Sequence, residues 1–239
     1  MIDLKEGAVL VADAHYASYR PLFHTLIDKI ISKEIQTTQL LLMGDVFDLL
    51  MGPVKVLVES EQRIIDKLNK LSLEIEVIYL EGNHDFQLAS IFPHMKIFPL
   101  ALQPVKSTFK SQEGFLAHGD WGGSLSYRLY SAIIRNIFVL KLLNFTDITL
   151  NKMISRKFYK KMQKKLICSK FKGFDSFMRE KFKKNNSFQG WFIEGHYHQG
   201  SSFLVDSMFY HNLEAMACNK SYFVVQSSNN VIALSRHML

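Results

Sequence analysis

Five short stretches of this chain gather the residue types that bind divalent cations. They are Asp13-Ala14-His15, Gly44-Asp45-Val46-Phe47-Asp48, Gly82-Asn83-His84-Asp85, His118-Gly119-Asp120 and Gly195-His196-Tyr197-His198. Carboxylates and an amide offer oxygen ligands and the imidazoles offer nitrogen, a mixture that suits Mn, Fe or Zn better than Ca. No cysteine takes part, which argues against a structural zinc cluster. Gly44, Gly82, Gly119 and Gly195 allow backbone turns that a Cβ would hinder. Taken singly each stretch is weak evidence. A lone histidine is more often structural than a ligand, and an Asp or Asn after a strand is usually a turn or a helix cap. Their order and common context carry the weight.

That context is the elements that must position them. Each stretch follows an apolar run: Val9–Val11, Leu40–Met43, Val77–Leu80, Phe115–Ala117 and Trp191–Ile193. Short continuous apolar runs read as buried strands. Between them, Leu22, Leu26, Ile27, Ile30 and Ile31 recur at helical spacing, and residues 54–73 read as a further helix. Strands alternating with helices indicate an α/β layered fold, in which sites form beyond the carboxyl ends of the strands. All five stretches can therefore converge on one edge. Residues 122–187 differ: helical in pattern, rich in Phe, Tyr and Lys, and free of proline. They read as a helical lid inserted into a single domain spanning 1–239. Residues 203–205, 208–211, 222–225 and 231–234 read as closing strands.

At this point the series resembles the calcineurin-like metallophosphoesterase superfamily, whose pattern runs Asp-x-His, Gly-Asp-x-x-Asp, Gly-Asn-His-Asp/Glu, a Gly/His pair and Gly-His-x-His. The resemblance implies a four-layer α/β/β/α sandwich. It also implies two metal ions, one held by Asp13, His15, Asp45 and His198, the other by Asp45, Asn83, His118 and His196, with Asp45 bridging. Manganese is the metal it favours, with iron or zinc as alternatives. Two-metal chemistry then implies that a hydroxide bridging the metals attacks phosphorus in line. His84 is expected to face the substrate, stabilising charge or protonating the leaving oxygen, with Asp85 orienting its ring. Asp48 and Asp120 are expected to support the ligands rather than to bind metal. His24, His94, His211 and His237 lie outside the series and receive no role.

Within the superfamily the chain is similar to the UDP-2,3-diacylglucosamine hydrolases of lipid A synthesis, in length and in the basic, aromatic insertion before the last motif. Those enzymes split a pyrophosphate to give UMP and a lipid monophosphate. One departure stands out: they typically carry Arg where this chain has His84.

Charge and composition bear on the partner. The chain has 239 residues, 48% of them hydrophobic, and a net charge of +7. Residues 152–184 hold 13 Lys or Arg against Asp175 and Glu180, a surplus of +11, so the remainder is mildly acidic at about −4. Such a segment points to an anionic partner, although a solvated helix face is the bland alternative. Arg156, Lys157, Lys160, Lys161, Lys164 and Lys165 recur at helical spacing, and of these Arg156, Lys157, Lys160 and Lys164 are the candidate substrate-binding cations. Tyr130, Ile133, Ile134, Ile137, Phe138, Leu142 and Phe145 supply an apolar face beside them. Apolar and basic surface together suit an amphiphilic nucleotide-sugar lipid, or the inner face of a bacterial inner membrane on which a peripheral protein would dock. A general phosphodiesterase or nuclease is the alternative, weakened by the apolar residues that nucleic acid does not require; a metal-free scaffold is weaker still, because the ligand set is complete. Leu129–Phe145 is too short and too interrupted for a membrane span, and no signal peptide is evident. Two cysteines, Cys168 and Cys218, are expected as reduced thiols of a cytoplasmic protein.

Overall fold

The computed structural model describes residues 1–184, 188–228 and 231–239. The chain begins β1 (Ile2–Asp3), β2 (Val9–Val11), α1 (Leu22–Ile31), β3 (Gln39–Leu42), β4 (Leu50–Met51), α2 (Lys55–Ser60), α3 (Gln62–Leu71), β5 (Glu76–Leu80), β6 (Asp85–Phe86), β7 (Lys96–Phe98), β8 (Val105–Phe109) and β9 (Gln112–Ala117). Helices α4 (Leu125–Ile134), α5 (Ile137–Thr149), α6 (Met153–Gln163) and α7 (Phe174–Lys183) follow. The chain closes with β10 (Trp191–Glu194), β11 (Ser201–Val205), β12 (Met208–Asn212), α8 (Met216–Asn219), β13 (Ser221–Ser228) and β14 (Val231–Met238).

Two six-stranded sheets form, one in the order β14-β13-β2-β3-β5-β7 and the other β1-β8-β9-β10-β12-β11. Successive strand residues point to opposite faces, so each sheet can be covered on both sides. Leu10, Leu41, Ile78 and Leu80 of the first sheet meet Phe109, Leu116, Trp191 and Ile193 of the second in a shared core. On the far side of the first sheet, Val9, Val11, Leu40 and Leu42 pack against Phe23, Leu26 and Ile27 of α1 and Ile64, Ile65 and Leu68 of α3. On the far side of the second, Phe192 and Tyr210 pack against Phe174, Met178 and Phe182 of α7. The result is the four-layer helix–sheet–sheet–helix sandwich that the motif series implied.

Strands β9 and β10 are parallel neighbours, Gly114 opposite Trp191, yet all of α4 to α7 lies between them in sequence. These helices occupy 125–183 of the segment read as a lid, whose end at 185–187 lies outside the described residues. The apolar stretch 129–145 is not one helix. Asn136 breaks it, its side-chain oxygen accepting from Phe138 N at 2.9 Å and Val139 N at 3.3 Å to cap α5. Among the described residues no single helix is long and apolar enough to cross a membrane, although α4 and α5, bent by 54°, pass that test as a pair. Residues 54–73 likewise divide at Glu61 into α2 and α3.

The expectation of reduced cysteines is wrong. Cys168 and Cys218 form a disulfide with Cα atoms 5.6 Å apart, 50 residues distant in sequence. The segment after α6 folds back onto α8, which no local pattern reveals. The thiol argument for a cytoplasmic location falls with it.

Candidate metal centre

Each motif continues directly from the carboxyl end of a strand: Asp13–His15 after β2, Gly44–Asp48 after β3, Gly82–Asp85 after β5, His118–Asp120 after β9 and Gly195–His198 after β10. The backbone there is contorted. Asp13, His15, Asp45, His196 and His198 all have φ between 42° and 66°, a region that costs a non-glycine residue roughly 1–3 kcal/mol. Cross-links between the motifs hold it: Asp13 N donates to Gly44 O, His15 N to Asp45 O, Gly195 N to His118 O and His196 N to Asp13 Oδ2. Gly82 is required by space rather than by φ, because a Cβ there would lie 2.2 Å from Asp45 Oδ1 and 2.4 Å from Asp45 N. Gly44 is required on both counts, with φ at 86° and a Cβ that would meet His118 Nδ1 at 2.4 Å.

The side chains meet in two groups. Asp13 Oδ1 lies 3.1 Å from His198 Nε2, and His15 completes that group. Asp45 Oδ1 lies 3.6 Å from His118 Nε2, which is 3.3 Å from Asn83 Oδ1 and 3.2 Å from His196 Nδ1. Asp45 also shares a group with His15 and His84, so it stands between the two. Outer contacts set the imidazole tautomers. His118 Nδ1 donates to Met43 O at 2.9 Å and His198 Nδ1 to Ile167 O at 2.7 Å, leaving each Nε2 facing inward as a ligand atom.

These donors fit divalent metals. Asp13 Oδ1 and His15 Nε2 are buried without a hydrogen-bond partner, an expensive condition that metal ligation would relieve. Burial disfavours charge on His118, but Asp45, Asp120 and Asp13 overrule it and push its pKa up to about 9. Burial and then the charge of His118 push the adjoining His196 down to about 4. His118 Nε2 and His196 Nδ1 face each other at 3.2 Å, where a cation would sit. Divalent ions held by Asp13, His15, Asp45 and His198, and by Asp45, Asn83, His118 and His196, would supply Lewis-acid polarisation of a phosphoryl group and activation of water. The chain's own part is to fix these donors and to wall the cavity of about 440 Å³ into which His15, Asp45, Asn83, His196 and His198 open.

His84 is buried beside the ligands, grouped with His15 and Asp45, and does not itself line the cavity. Its Nδ1 donates to Asp48 O at 2.7 Å, and Nε2 lies 3.9 Å from Asp45 Oδ2. Asp85 does not orient this ring, contrary to expectation. Its carboxylate accepts from the backbone N of Asp45, Val46, Phe47 and Gly82, and from Tyr79 Oη. It is a brace for two motif loops, its oxygens taken up by four backbone amides and the Tyr79 hydroxyl. Asp48 does the orienting. Besides its carbonyl contact with His84, its carboxylate lies 3.3 Å from His15 Nδ1 and pairs with Arg20 Nη2 at 2.7 Å. Asp120 accepts from Tyr127 Oη at 3.0 Å and Arg135 Nη2 at 3.3 Å, and Arg135 also reaches Gly82 O at 2.9 Å. Through Arg135, helix α4 clamps two motif loops together.

The basic candidates fall elsewhere. Helix α6 turns Ser155, Tyr159 and Met162 inward and its cations to solvent. Arg156, Lys157 and Lys160 line a separate groove with Leu150 and Met153, and Lys164 is exposed; none of the four lines the metal cavity. The lysine that does is Lys165, whose Nζ donates to His84 Nε2 at 2.8 Å. Nothing in the sequence separates it from Lys160, Lys161 and Lys164 around it.

Comparison with known proteins agrees with this geometry. The family model described as calcineurin-like phosphoesterase matches residues 8–200, and the chain belongs to that family. No curated protein matches the chain. Among solved structures the chain is similar to a phosphoesterase from E. coli, at 14% identity over 96% of this chain and 97% of that one with a TM-score of 0.45. It is similar to an archaeal phosphodiesterase at 12% identity over 96% and 99%, TM-score 0.46. A nuclease from Pseudomonas putida aligns at 24% identity over 38% of this chain and 47% of that one, TM-score 0.30. The protein is thus a phosphoester hydrolase of the metallophosphoesterase type.

Proposed function

We propose that this phosphoesterase hydrolyses an amphiphilic phosphoester or pyrophosphate at a membrane surface. A diacylated nucleotide sugar of the UDP-2,3-diacylglucosamine kind is the substrate in view, split to UMP and a lipid monophosphate, with manganese as the metal. The observation that carries the reading is the outer face of α4 and α5. Leu125, Leu129, Ile133, Phe138, Leu142 and Phe145 stand there between 52% and 79% exposed, apolar side chains that a helical subdomain with its own core would have buried. Exposed Arg128, Lys141, Lys152, Arg156 and Lys157 accompany it and match an anionic headgroup layer. A second cavity of about 560 Å³, walled by Trp121, Tyr127 and Phe177, adjoins the metal cavity across His196 and Tyr197. A phosphorus held between two cavities suits a diester or anhydride with a substituent on each side better than a monoester.

The test is a manganese-dependent assay on the diacylated nucleotide sugar, the same compound without acyl chains, an aryl phosphodiester and single-stranded DNA, alongside sedimentation with anionic and neutral liposomes. Strong preference for the acylated substrate and salt-sensitive binding to anionic liposomes are expected. Equal efficiency on acylated and bare substrates returns the protein to a general phosphodiesterase, and preference for DNA makes it a nuclease.

A further inference from the structure

Residues 164–173, between α6 and α7, border the metal cavity with Lys165, Leu166, Ile167, Ser169 and Phe171. The segment is tied down along its length. Ile167 O accepts from His198 Nδ1 at 2.7 Å, and Phe171 N donates to Gln199 Oε1 at 2.9 Å. Cys168 is bonded covalently to Cys218 of α8. Helix α8 belongs to the frame of the centre, because Met216 N donates to Ala12 O at 3.0 Å and Ala217 N to Asp13 O at 3.2 Å. The disulfide therefore fixes this segment to the backbone that bends Asp13 into place. Lys165 stands three residues before the bridge.

The Lys165–His84 contact has a direction. His84 Nδ1 already donates to Asp48 O, so Nε2 carries the lone pair and accepts from the ammonium at 2.8 Å. A neutral imidazole in this tautomer offers no proton and no charge to an anionic phosphoryl group. An ammonium has three N–H donors, and the bond to His84 uses one. The remaining donors are available to a ligand in the cavity that holds His15, Asp45 and Asn83. We propose that Lys165 is the cation that binds the substrate's phosphoryl oxygens, that His84 is its positioning acceptor, and that the Cys168–Cys218 bridge anchors the segment that delivers it. This deepens the phosphoesterase reading and rests on it. It also accounts for a histidine beside His15 and Asp45 whose two ring nitrogens are taken up by Asp48 O and Lys165 Nζ.

The test uses the full-length, manganese-loaded protein and two readouts: calorimetric binding of inorganic phosphate, and steady-state hydrolysis of an aryl phosphodiester. Lys165→Met should weaken phosphate binding about tenfold and lower kcat/KM by about 10–100-fold, with bound metal unchanged. Cys168→Ser/Cys218→Ser, confirmed folded by its melting transition, should weaken phosphate binding and raise KM in the Lys165 background. Combined with Lys165→Met it should add less than about twofold, because the bridge acts through the lysine. Phosphate affinity of Lys165→Met within about twofold of wild type would overturn the proposal, as would bridge removal costing the same with and without Lys165. Absence of manganese-dependent hydrolysis in the wild type would strike the phosphoesterase reading instead, and the phosphate-binding comparison would still decide for or against Lys165.

Discussion

Substituting Gly82 with alanine perturbs the centre without touching a ligand. The new methyl would start 2.2 Å from Asp45 Oδ1, 2.4 Å from Asp45 N and 3.0 Å from Asp45 Cγ. None of these atoms is a loose end. Asp45 N donates to Asp85 Oδ1 at 3.0 Å, and Asp45 Oδ1 accepts from His84 N at 2.8 Å. Relief must come from moving one motif loop against the other. Such overpacking costs about 1–3 kcal/mol. In a chain of this size each kcal/mol lowers Tm by roughly 2–4 °C, so Gly82→Ala should melt roughly 2–12 °C below wild type. The functional loss should exceed the structural one, because Asp45 serves both donor groups. A displacement of a few tenths of an ångström lengthens two metal contacts at once. Melting in excess chelator reads the strain, and equilibrium dialysis against Mn reads the ligand geometry. A variant that keeps both wild-type Tm and wild-type metal content would refute the contact, and with it the placement of Asp45 between the two groups.

Other outcomes follow from the same geometry. His84→Ala should retain metal and lower kcat/KM by no more than the roughly 10–100-fold of Lys165→Met, since the ring positions that lysine rather than ligating; loss of metal on dialysis would make His84 a ligand. His211 lies outside the centre, stacked near Phe209 and edge-on to Phe223. Its burial pushes the pKa down to about 4, against about 6.5 in an unfolded chain. The unfolded state therefore takes up the proton first, and stability present above about pH 6.5 should drain away towards pH 4 by up to about 3 kcal/mol. Urea titrations of His211→Gln should show a shallower loss over that window, and an unchanged slope would deny the burial.

Much of this was legible in the sequence because the chemistry sits where the strands stop. An apolar run such as Leu40–Met43, followed at once by Gly44-Asp45, encodes both a buried strand and the ligand it delivers. The reach of Asp85 was not legible: its spacing next to His84 suggests a partnership, but the carboxylate turns to the amides of Asp45, Val46 and Phe47. Lys165 was hidden for a different reason. It follows Lys160, Lys161 and Lys164 in a run of equivalent cations, and only the turn after α6 separates it from them. The disulfide was hidden because a separation of 50 residues says nothing about proximity. Asn136, by contrast, carried its helix-capping signal openly; the apolar residues around it masked the break it makes in 129–145.

The central claim is that Asp45 joins two metal ions into one hydrolytic centre. It is tested most directly by measuring metal stoichiometry and phosphodiester hydrolysis together in wild type, Asp45→Ala and His118→Ala, each stripped with chelator and reloaded with Mn. The account predicts about two equivalents bound and hydrolysis restored in the wild type. Asp45→Ala should lose affinity at both positions and His118→Ala chiefly at one, and neither should turn over. Hydrolysis by the stripped wild type, or full activity in either variant, would contradict it.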